Sequence, residues 1–405
     1  MAPASVVPPS RRMRVMADPW LSIIGIQEDG LAGLPPASRD ALDRAEIVFG
    51  APRHLELAGI GGQRGRAWPV PFGLDPLLAL RGESVAALVS GDPFWHGAGG
   101  SIAAVLQTGE WRAFPAPGTF SLAAARLGWR LEETACLGLH AAPFARLRPV
   151  MARGARAICL LRDGTAPAQL AEWLVAQGLG PTRMVVMEAL GGPRERIREA
   201  RAQGFALDCI APVAVALDGA DLPSGAGLPR GFGLPDDSFA HDGQITRRAI
   251  RAVTLAALGP RTGEMLWDIG GGSGSVSVEW CLNGGRAVTL EPRTDRIANI
   301  AANIKAFGLA DRMRAVQGAA PDFLHDLPAP DAIFIGGGAS ATLIDALPPA
   351  RLVANAVTLE TEALLIGLHA QRGGSLTRIA LEEAVPLGRM RGWTPARSVT
   401  QWSWP

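Results

Sequence analysis

Short apolar runs alternate with amphipathic segments along most of this chain. In the first half, runs such as Val85-Ala86-Ala87-Leu88-Val89-Ser90 predict buried strands, and the segments between them carry apolar residues at helical spacing. The same alternation resumes after residue 236 and continues to a final apolar run at residues 398–404. Strands that alternate with helices are typical of layered α/β folds. The pattern therefore predicts two α/β domains.

A stretch rich in glycine and proline separates the two alternating regions. Such residues block regular structure, and those between residues 218 and 239 are Gly219, Gly225, Gly227, Gly231, Gly233, Pro223, Pro229 and Pro235. Upstream, residues 1–17 contain prolines and arginines but no apolar core of a secretory signal, so we expect a disordered tail. The predicted organisation is that tail, a first domain over 18–218, a linker over 219–235 and a second domain over 236–405.

Periodicity also predicts individual elements. The predicted helices include 38–49, 120–127, 170–176, 195–202 and 245–258, and the predicted strands include 207–215, 352–357 and 376–384. Thr294 is the predicted N-cap of a further helix, which Gly308 ends. Within 195–202 arginines and glutamates are interleaved, which indicates a solvated helix face.

The composition argues against several classes of function. A net charge of +1 over 405 residues gives no overall attraction to nucleic acid or to an anionic membrane. No apolar run approaches the ~20 residues that a membrane-spanning helix needs. Four widely spaced cysteines are typical of a reduced, cytoplasmic protein. Because no histidines or cysteines have the spacing of a metal site, we expect no metal.

The most informative stretch of the second half is Asp268-Ile269-Gly270-Gly271-Gly272-Ser273-Gly274. An apolar run that ends in a carboxylate, followed by alternating glycines and a short amphipathic segment, predicts a strand, a tight turn and the start of a helix. Gly270, Gly272 and Gly274 would let the backbone bend sharply and let a ligand approach its N–H groups. The pattern is typical of a nucleotide-binding turn.

Spacing distinguishes between the possible nucleotides. A dinucleotide fingerprint requires a glycine where this chain has Ser275 or Ser277, and a phosphate-binding P-loop requires a Gly-Lys pair, whereas the one lysine, Lys305, follows an isoleucine. Glu291 ends the next predicted strand, where a carboxylate can accept hydrogen bonds from both ribose hydroxyls. The plainer alternative is that the glycines form only a tight turn and that Glu291 is a solvated strand end.

The remaining pattern, Asp-x-Gly-x-Gly-x-Gly, resembles the first motif of Rossmann-like S-adenosylmethionine (SAM) methyltransferases. Four stretches of the first half resemble, in order, the signatures of the tetrapyrrole methylases, and we call them motifs 1 to 4. They are Gly25-Ile26-Gln27-Glu28-Asp29-Gly30-Leu31-Ala32-Gly33-Leu34, Ser90-Gly91-Asp92-Pro93-Phe94-Trp95-His96-Gly97, Pro117-Gly118-Thr119-Phe120-Ser121 and Met187-Glu188-Ala189-Leu190-Gly191.

The second half is similar to the decarboxylating precorrin methylases in three places: the glycine-rich turn, the region from Gly233 to Arg247, and Asn355-Ala356-Val357-Thr358-Leu359-Glu360-Thr361. A chain that fuses these halves resembles the bifunctional, decarboxylating precorrin C5,15-methyltransferases of aerobic cobalamin biosynthesis. The fold implied is a two-domain α/β chain, with an N-terminal tetrapyrrole-methylase-like α/β domain and a C-terminal Rossmann-like, seven-strand SAM methyltransferase domain.

The resemblance also implies a reaction. SAM-dependent methylation of a precorrin is expected at carbon 5 in the first half, and at carbon 15, with loss of carbon dioxide from the ring C acetate, in the second. It implies two SAM sites per chain, a homo-oligomer and a small-molecule tetrapyrrole substrate. The cofactor-binding residues carried over are Ser90, Gly91, Asp92, Gly118, Phe120, Ser121, Glu188, Thr246, Asp268, Gly270, Gly272, Gly274, Glu291, Gly318 and Ala319.

Some positions depart from the family patterns. Gln27-Glu28 replaces a Pro-Gly pair, Phe120 stands where a hydroxyl is usual, and Arg247 replaces a lysine. No catalytic residue is assigned. Glu279, Asp237 and His241 lie near the motifs, but each is more typical of a surface position.

Two other functions remain open at this point. The glycine-rich turn also permits a methyltransferase that acts on RNA or protein, although the neutral charge argues against RNA. The departures at Gln27-Glu28 and Phe120 permit a non-enzymatic protein that binds SAM or an intermediate, in which one half has lost activity. The run Gly336-Gly337-Gly338 either lets a flat macrocycle approach a strand end or forms a flexible loop.

Overall fold

A computed structural model describes residues 19–405, so the predicted tail lies outside the described residues. The chain divides into two compact units. The first contains residues up to Ala141 together with Gly154–Leu222, and the second contains Ala142–Arg153 together with Pro223–Pro405. The segment Ala142–Arg153 thus belongs to the second unit although it lies within the first half of the sequence.

The first unit begins with a parallel five-stranded sheet of order β3-β2-β4-β1-β5. Its central strands are apolar along their whole length because a parallel sheet is covered on both faces. The strands are β1 (Leu21–Ile26), β2 (Ile47–Gly50), β3 (Gly65–Ala67), β4 (Val85–Ser90) and β5 (Trp111–Phe114). The helices between them are α1 (Pro36–Arg44), α2 (Pro52–Leu57), α3 (Asp75–Leu78) and α4 (Gly99–Ala103).

A second five-stranded sheet, of order β6-β7-β10-β8-β9, completes the first unit. Strands β6 and β7 pair in parallel and the other neighbours are antiparallel. The elements are α5 (Thr119–Leu127), β6 (Ala135–Gly138), β7 (Arg156–Leu161), α6 (Ala166–Ala176), β8 (Arg183–Glu188), β9 (Arg196–Arg201) and β10 (Val213–Asp218). Helix α5 packs against this sheet through Phe120 and Ala123.

The second unit is built on a seven-stranded sheet of order β13-β12-β11-β14-β15-β19-β16. Its first five strands in that order are parallel, and β19 is antiparallel to both of its neighbours. The strands are β11 (Met265–Ile269), β12 (Arg286–Glu291), β13 (Met313–Gln317), β14 (Ala332–Ile335), β15 (Arg351–Ala356), β16 (Ser375–Ile379) and β19 (Val399–Trp404).

Helices cover both faces of this sheet. Leu266 and Trp267, neighbours on β11, belong to two separate core clusters because successive side chains of a strand point to opposite faces. The helices are α7 (Arg248–Leu258), α8 (Ser275–Leu282), α9 (Thr294–Ala306), α10 (Ala341–Ala346) and α11 (Leu359–Arg372). A separate hairpin comprises β17 (Glu382–Leu387) and β18 (Met390–Pro395). Within residues 19–405, no helix combines the length and apolarity that crossing a membrane requires.

The predicted helix over 195–202 is wrong. These residues form strand β9, which pairs with β8. Alternation with period two places Arg196 and Arg198 on one side of the strand, where both pair with Glu188 of β8. The interleaved charges therefore belong to a cross-strand ladder, and they are not a helix face.

Other predicted boundaries also require correction. The predicted helix 38–49 ends at Arg44 and is followed by β2. The strand predicted over 207–215 begins only at Val213, directly after a proline that has no N–H to donate. The strand predicted over 376–384 is two strands, β16 and β17. Thr294 is the first residue of α9, whose N-cap is Arg293, and its hydroxyl instead accepts a hydrogen bond from Gln317.

Candidate functional site

The candidate site of the second unit lies where the strand order reverses. Strand β11 has β12 on one side and β14 on the other, and open α/β sheets bind ligands beyond the carboxyl ends of strands at such a point. The turns that follow β11 and β14 touch there. The N–H of Gly336 donates to the Ile269 carbonyl at 3.0 Å, and a Cβ on Gly270 would lie 2.8 Å from the Gly337 oxygen.

The glycine-rich turn uses its glycines for conformation and for space. Gly270, Gly272 and Gly274 have φ angles of +68°, +57° and +70°, in the left-handed region that favours glycine. Gly271 has no such angle, but a Cβ there would overlap the Cγ2 methyl of Thr289. Sequence spacing did not indicate this fourth requirement, because it depends on a side chain of the neighbouring strand.

A chain of buried hydroxyls supports the carboxylate that precedes this turn. Thr289 donates to the Ser277 hydroxyl at 2.7 Å, and Ser277 donates to Asp268 Oδ2 at 2.7 Å. The other oxygen of Asp268 is buried and has no hydrogen-bond partner among the described residues. Burial, partly offset by the Ser277 hydrogen bonds and reinforced by Glu291, raises the pKa of Asp268 to about 6. Asp268 therefore keeps one free acceptor next to the turn.

Glu291 reaches the same turn from β12. Its Oε2 accepts a hydrogen bond of 2.9 Å from the N–H of Gly272, and its Oε1 accepts one of 3.1 Å from the N–H of Arg293. The side chain is almost fully buried. Since each oxygen carries two lone pairs, the carboxylate retains acceptor capacity while its position is fixed by the backbone.

The segment 240–246 lies against the glycine-rich turn. A Cβ on Gly272 would lie 3.1 Å from the Gln244 carbonyl oxygen. Buried Asn303 holds this segment to the turn, because its amide donates to Ala240 O at 3.0 Å and to Ser273 O at 2.9 Å while its oxygen accepts from Ala240 N at 2.8 Å.

Thr246, the last residue of this segment, is held by a second buried side chain. Its carbonyl accepts a hydrogen bond from Arg251, a fully buried guanidinium that also donates to Glu279 at 2.6 Å and to Asp236 at 3.0 Å. Glu279 in addition accepts from the backbone N–H groups of residues 233 and 234, so this candidate acid is occupied in holding the chain.

The remaining candidate residues of the second unit have fewer contacts with the glycine-rich turn. Gly318 follows β13, and its N–H donates to the Glu291 carbonyl at 3.2 Å. Ala319 is exposed, as is Asp237. His241 accepts a hydrogen bond from the N–H of Gly243 at 3.0 Å. Of the run after β14, Gly336 packs on the glycine-rich turn, whereas a Cβ on residue 337 or 338 would meet nothing within 4 Å.

In the first unit, motifs 1, 2 and 3 meet through their glycines. A Cβ on Gly25 would overlap the carbonyl oxygen of Gly91 and lie 2.8 Å from Ala116 N. A Cβ on Gly91, whose φ is +53°, would lie 2.7 Å from Gly118 Cα. The three backbones therefore approach as closely as only glycine permits, at the carboxyl ends of β1 and β4.

The side chains of motifs 2 and 3 have different environments. Ser90 is exposed at the end of β4, and Asp92 closes its own turn by accepting from Phe94 N at 2.8 Å. Phe120 is buried in the core cluster against the second sheet, with its ring centroid 5.0 Å from that of Trp95. Its side chain thus serves packing, and only its backbone, with that of half-buried Ser121, lies at the start of α5.

The departures in motif 1 have structural partners. Gln27 donates to the Pro117 carbonyl at 2.6 Å, which joins motif 1 to motif 3. Glu28 is buried and pairs with Arg53 and with Arg194, the latter at 3.4 Å. A Cβ on Gly192 would lie 2.8 Å from the Glu28 carbonyl oxygen, which places the residues after motif 4 against motif 1.

Motif 4 contains a carboxylate that is already saturated. Glu188 is fully buried and accepts from Arg196 at 2.7 Å through both oxygens, from Arg198 at 3.1 Å and from Ile210 N at 2.8 Å. These contacts lower its pKa despite burial. Glu188 thus holds β9 and the 205–212 segment, and it has no acceptor directed to a ligand.

Backbone strain is found in the same motifs. Among the described residues, the non-glycine residues with positive φ are His96, at +58° in motif 2, and Ala189, at +45° in motif 4. Such conformations cost about 1–3 kcal/mol and are retained where the surroundings impose them, often at functional sites. The glycine contacts join motifs 1, 2 and 3 and place the residues after motif 4 against motif 1, so the four motifs lie together.

Sequence motifs alone did not identify several residues of these sites. Ser277, Thr289, Asn303 and Arg251 lie outside the glycine pattern, and each acts on it through a buried side chain. Ser277 had served only to exclude the dinucleotide fingerprint. Its position at helical spacing after the turn, facing the neighbouring strands, was the one available signal.

Comparisons with known proteins agree with both sets of motifs. The family of Tetrapyrrole (Corrin/Porphyrin) Methylases matches residues 21–206, and the Precorrin methyltransferase domain matches residues 237–405. A precorrin-6Y C(5,15)-methyltransferase (decarboxylating) of Sinorhizobium sp. is 46% identical over 402 residues, which cover 96% of this chain and 97% of that protein.

The protein of the same description from Mycobacterium tuberculosis (strain ATCC 25618 / H37Rv) is 39% identical and covers 94% of this chain and 98% of its own length. The solved C-terminal domain of a precorrin-6Y C5,15-methyltransferase from Rhodobacter capsulatus is 62% identical, with a TM-score of 0.43, and covers 44% of this chain and 98% of that chain. Identity along nearly the whole length shows that the chain belongs to the family of decarboxylating precorrin-6Y C(5,15)-methyltransferases.

Proposed function

We propose that this chain methylates a precorrin at carbons 5 and 15 and decarboxylates its ring C acetate, in cobalamin biosynthesis. The first unit would methylate carbon 5, and the second would methylate carbon 15 and release carbon dioxide. The observation that carries the proposal is that each unit has a glycine-lined turn at the carboxyl ends of parallel strands, built on an unrelated plan.

The donor set of the second unit fits SAM, which when bound supplies an activated methyl group. Asp268 has a buried acceptor without a partner among the described residues, Glu291 keeps acceptor capacity beside Gly272, and four of the five residues of the turn are glycines. These residues, with Gly270, Gly274, Thr246, Gly318 and Ala319, would hold the cofactor.

In the first unit, the residues that would bind SAM would do so mainly through their backbone groups. Ser90, Gly91, Asp92, Gly118, Ser121 and the backbone of Phe120 would line the second SAM site, where the backbones of motifs 1, 2 and 3 meet through glycines. Glu188 would act indirectly, by fixing the loops of motif 4. We thus propose two SAM molecules per chain.

The protein's contribution to either transfer is orientation and exclusion of water. Positioning two reactants can supply a large part of a displacement barrier, and the meso carbons of a precorrin belong to an electron-rich conjugated system. A strong general base is therefore not required. The buried anchors Asn303 and Arg251 serve this purpose by holding the 240–246 segment on the turn.

Two glycine variants test whether the two units carry out different reactions. Gly25→Ala forces a Cβ onto the Gly91 carbonyl, and Gly270→Ala forces one within 2.8 Å of Gly337 O at a φ of +68°. With SAM and precorrin-6Y, mass spectrometry should show decarboxylated product without the carbon 5 methyl from Gly25→Ala, and carbon 5 product without decarboxylation from Gly270→Ala.

Gly62→Ala is the matched control for both variants, because it introduces a Cβ at positive φ in open space. Its products should equal those of the wild type. Identical losses from the two site variants would contradict separate sites, and titration calorimetry that gives one SAM per chain would contradict two cofactor sites.

We also propose a cytoplasmic homo-oligomer. Support comes from the hairpin β17–β18, which exposes Leu387, Met390 and Trp393 by 69%, 77% and 71%. Clustered apolar side chains of this size are typical of association surfaces. Replacing Met390 and Trp393 with serine should lower the mass measured by light scattering and leave SAM binding intact. An unchanged mass would exclude the hairpin as the contact.

A further inference from the structure

A polar cluster lies beside the cofactor site proposed for the first unit and shares only Ser90 with it. It consists of Arg53 and His54 from α2, Ser90 from the end of β4, Glu28 from motif 1 and Arg194, which follows motif 4. The cluster therefore gathers side chains from two of the four methylase motifs, from helix α2 and from the residues that follow motif 4.

Arg53 is the centre of the cluster. Its guanidinium forms an ion pair with Glu28, and its Nη2 lies 3.2 Å from both His54 Nε2 and Ser90 Oγ. His54 and Ser90 are themselves joined at 2.8 Å. Arg194 reaches the other oxygen of Glu28 at 3.4 Å. The two guanidinium groups are thus held on one carboxylate, next to the exposed end of β4.

The cluster has an excess of positive charge. Burial, followed by the neighbouring Arg53, lowers the pKa of His54 to about 4, so His54 is neutral at physiological pH. Glu28 supplies one negative charge against two guanidinium charges. Asp92 accepts a hydrogen bond from Phe94 N, and Asp29 lies beside Gly33, with one buried oxygen that has no hydrogen-bond partner among the described residues.

The arginine side chains of the cluster are exposed to solvent, whereas its carboxylate is buried. The Glu28 side chain is only 7% exposed, whereas the side chains of Arg53 and Arg194 are 36% and 61% exposed. Each guanidinium has five N–H donors in a fixed fork that suits a carboxylate. Glu28 engages a minority of them and, being buried, acts as the anchor that orients both forks.

We propose that Arg53 and Arg194 form a carboxylate clamp, which binds a peripheral carboxylate of the tetrapyrrole at the first-unit site. This inference rests on the proposed function, because a precorrin presents many carboxylates around its ring. The carboxylate of the methionine part of SAM has the same chemistry, so the experiment must distinguish the two sources.

Arg53→Gln and Arg194→Gln in the full-length chain test the clamp, with Arg126→Gln as the matched control. Arg126 forms a one-to-one pair with Glu195, at 2.7 and 2.9 Å, in the same unit. Carbon 5 methylation by the clamp variants should show a KM for precorrin-6Y raised about tenfold, the effect of one lost charge-assisted hydrogen bond. Their kcat, their SAM affinity and decarboxylation should match those of the wild type.

Two further measurements separate binding from a merely structural role. The dependence of KM on salt should weaken in both clamp variants, since fewer charges attract the substrate. Equilibrium binding of uroporphyrin, a polycarboxylate tetrapyrrole, followed by absorbance, should weaken in parallel, and it does not depend on turnover.

Unchanged KM and unchanged uroporphyrin binding in both variants would overturn the clamp. A loss of SAM affinity with unchanged uroporphyrin binding would also overturn it, by assigning the carboxylate to the cofactor. Failure of the wild type to methylate carbon 5 would refute the proposed function instead, and uroporphyrin binding would still decide whether the clamp exists.

Discussion

Removing the hydroxyl of Ser277 should weaken the second-unit site in a way that depends on pH. In the wild type this hydroxyl donates to Asp268 and accepts from Thr289, each at 2.7 Å, and all three side chains are buried. Ser277→Ala leaves the Asp268 carboxylate with no side-chain donor. Since the other oxygen of Asp268 is already unpartnered, the charge would lose its main compensation.

The size of the effect follows from the pKa of Asp268, which is about 6. At pH 7 about nine-tenths of this group is ionised. A hydrogen bond to a charged group contributes roughly 1.5–3 kcal/mol, so its loss would raise the pKa by about 1–2 units. Between about half and a tenth of the carboxylate would then remain ionised at pH 7. If SAM binds the ionised form, its affinity should fall about 2–10-fold for this reason alone.

The stability of the folded chain also depends on the pKa of Asp268. The pKa of Asp268 in the folded chain lies above its ordinary value of 3.8, so the folded state is favoured at low pH, and stability is lost as pH rises toward 6. In Ser277→Ala this loss extends to higher pH. The free energy of unfolding of the variant should be only slightly lower than that of the wild type at pH 5. At pH 8 it should be lower by about 1.5–3 kcal/mol.

Calorimetric titration with SAM at pH values from 5.5 to 8.5, together with urea unfolding over the same range, measures both effects. Ser275→Ala is the matched control, since it removes a buried hydroxyl from the first turn of the same helix. An affinity profile for Ser277→Ala that superimposes on that of the wild type would refute the role of Asp268 as an ionised acceptor. Equal losses in both serine variants would show that burial alone, and not the hydroxyl chain, is responsible.

Three further outcomes are expected. Gly271→Ala should weaken SAM binding in the second unit by about 1–3 kcal/mol, the usual cost of overpacking, because its Cβ would overlap the Thr289 methyl. The double variant with Thr289→Ser, which lacks that methyl, should recover most of the lost affinity. No recovery would show that the overlap with Thr289 is not the cause. Glu188→Gln should destabilise the chain by about 1.5–3 kcal/mol, as expected for the loss of charged hydrogen bonds at a buried carboxylate whose arginine partners stay partly exposed. Exposed Glu199→Gln should cost less than about 1 kcal/mol in the same urea titration, and similar costs would refute the buried anchor. Asn303→Ala should increase protease cleavage within 240–246, because three hydrogen bonds hold that segment, and an unchanged cleavage rate would show that other contacts suffice.

The sequence was sufficient to predict features that depend on local geometry. A glycine at positive φ is a local requirement, and so Gly270, Gly272 and Gly274 could be recognised from their spacing. The alternation of strands and helices was predictable for the same reason, and the two-domain α/β architecture is confirmed by the family comparison. The meeting of motifs 1 to 4 was not predictable from distance along the chain, but it was implied by the resemblance.

Features that depend on contacts distant in sequence could not be predicted. Strand β9 has an interleaved charge pattern that suits a helix as well as a strand, and only pairing of its arginines with buried Glu188 decides between them. Phe120 was assigned to the cofactor from its motif position, although the second sheet provides an apolar surface that takes up its side chain.

The segment Ala142–Arg153 illustrates the same limit. Arg148 lies 4.1 Å from the centroid of the Phe307 ring, and Arg146 pairs with Asp311 at 2.7 Å, so this stretch packs on the end of α9 in the second unit. Neither its composition nor its spacing distinguishes it from a loop of the first unit. A cut within the predicted linker would therefore separate the second unit from part of its own packing.

The position of β19 has a consequence for the order of folding during synthesis. This strand lies between β15 and β16, so neither has its final neighbour until residues 399–404 have left the ribosome. Until then β15 is an open edge, and the slot for fully buried Trp402 is unfilled. Open apolar edges promote aggregation. The second unit thus has a vulnerable interval that lasts until residues 399–404 emerge. The first unit has an earlier one, because its last strand, β10, lies between β7 and β8.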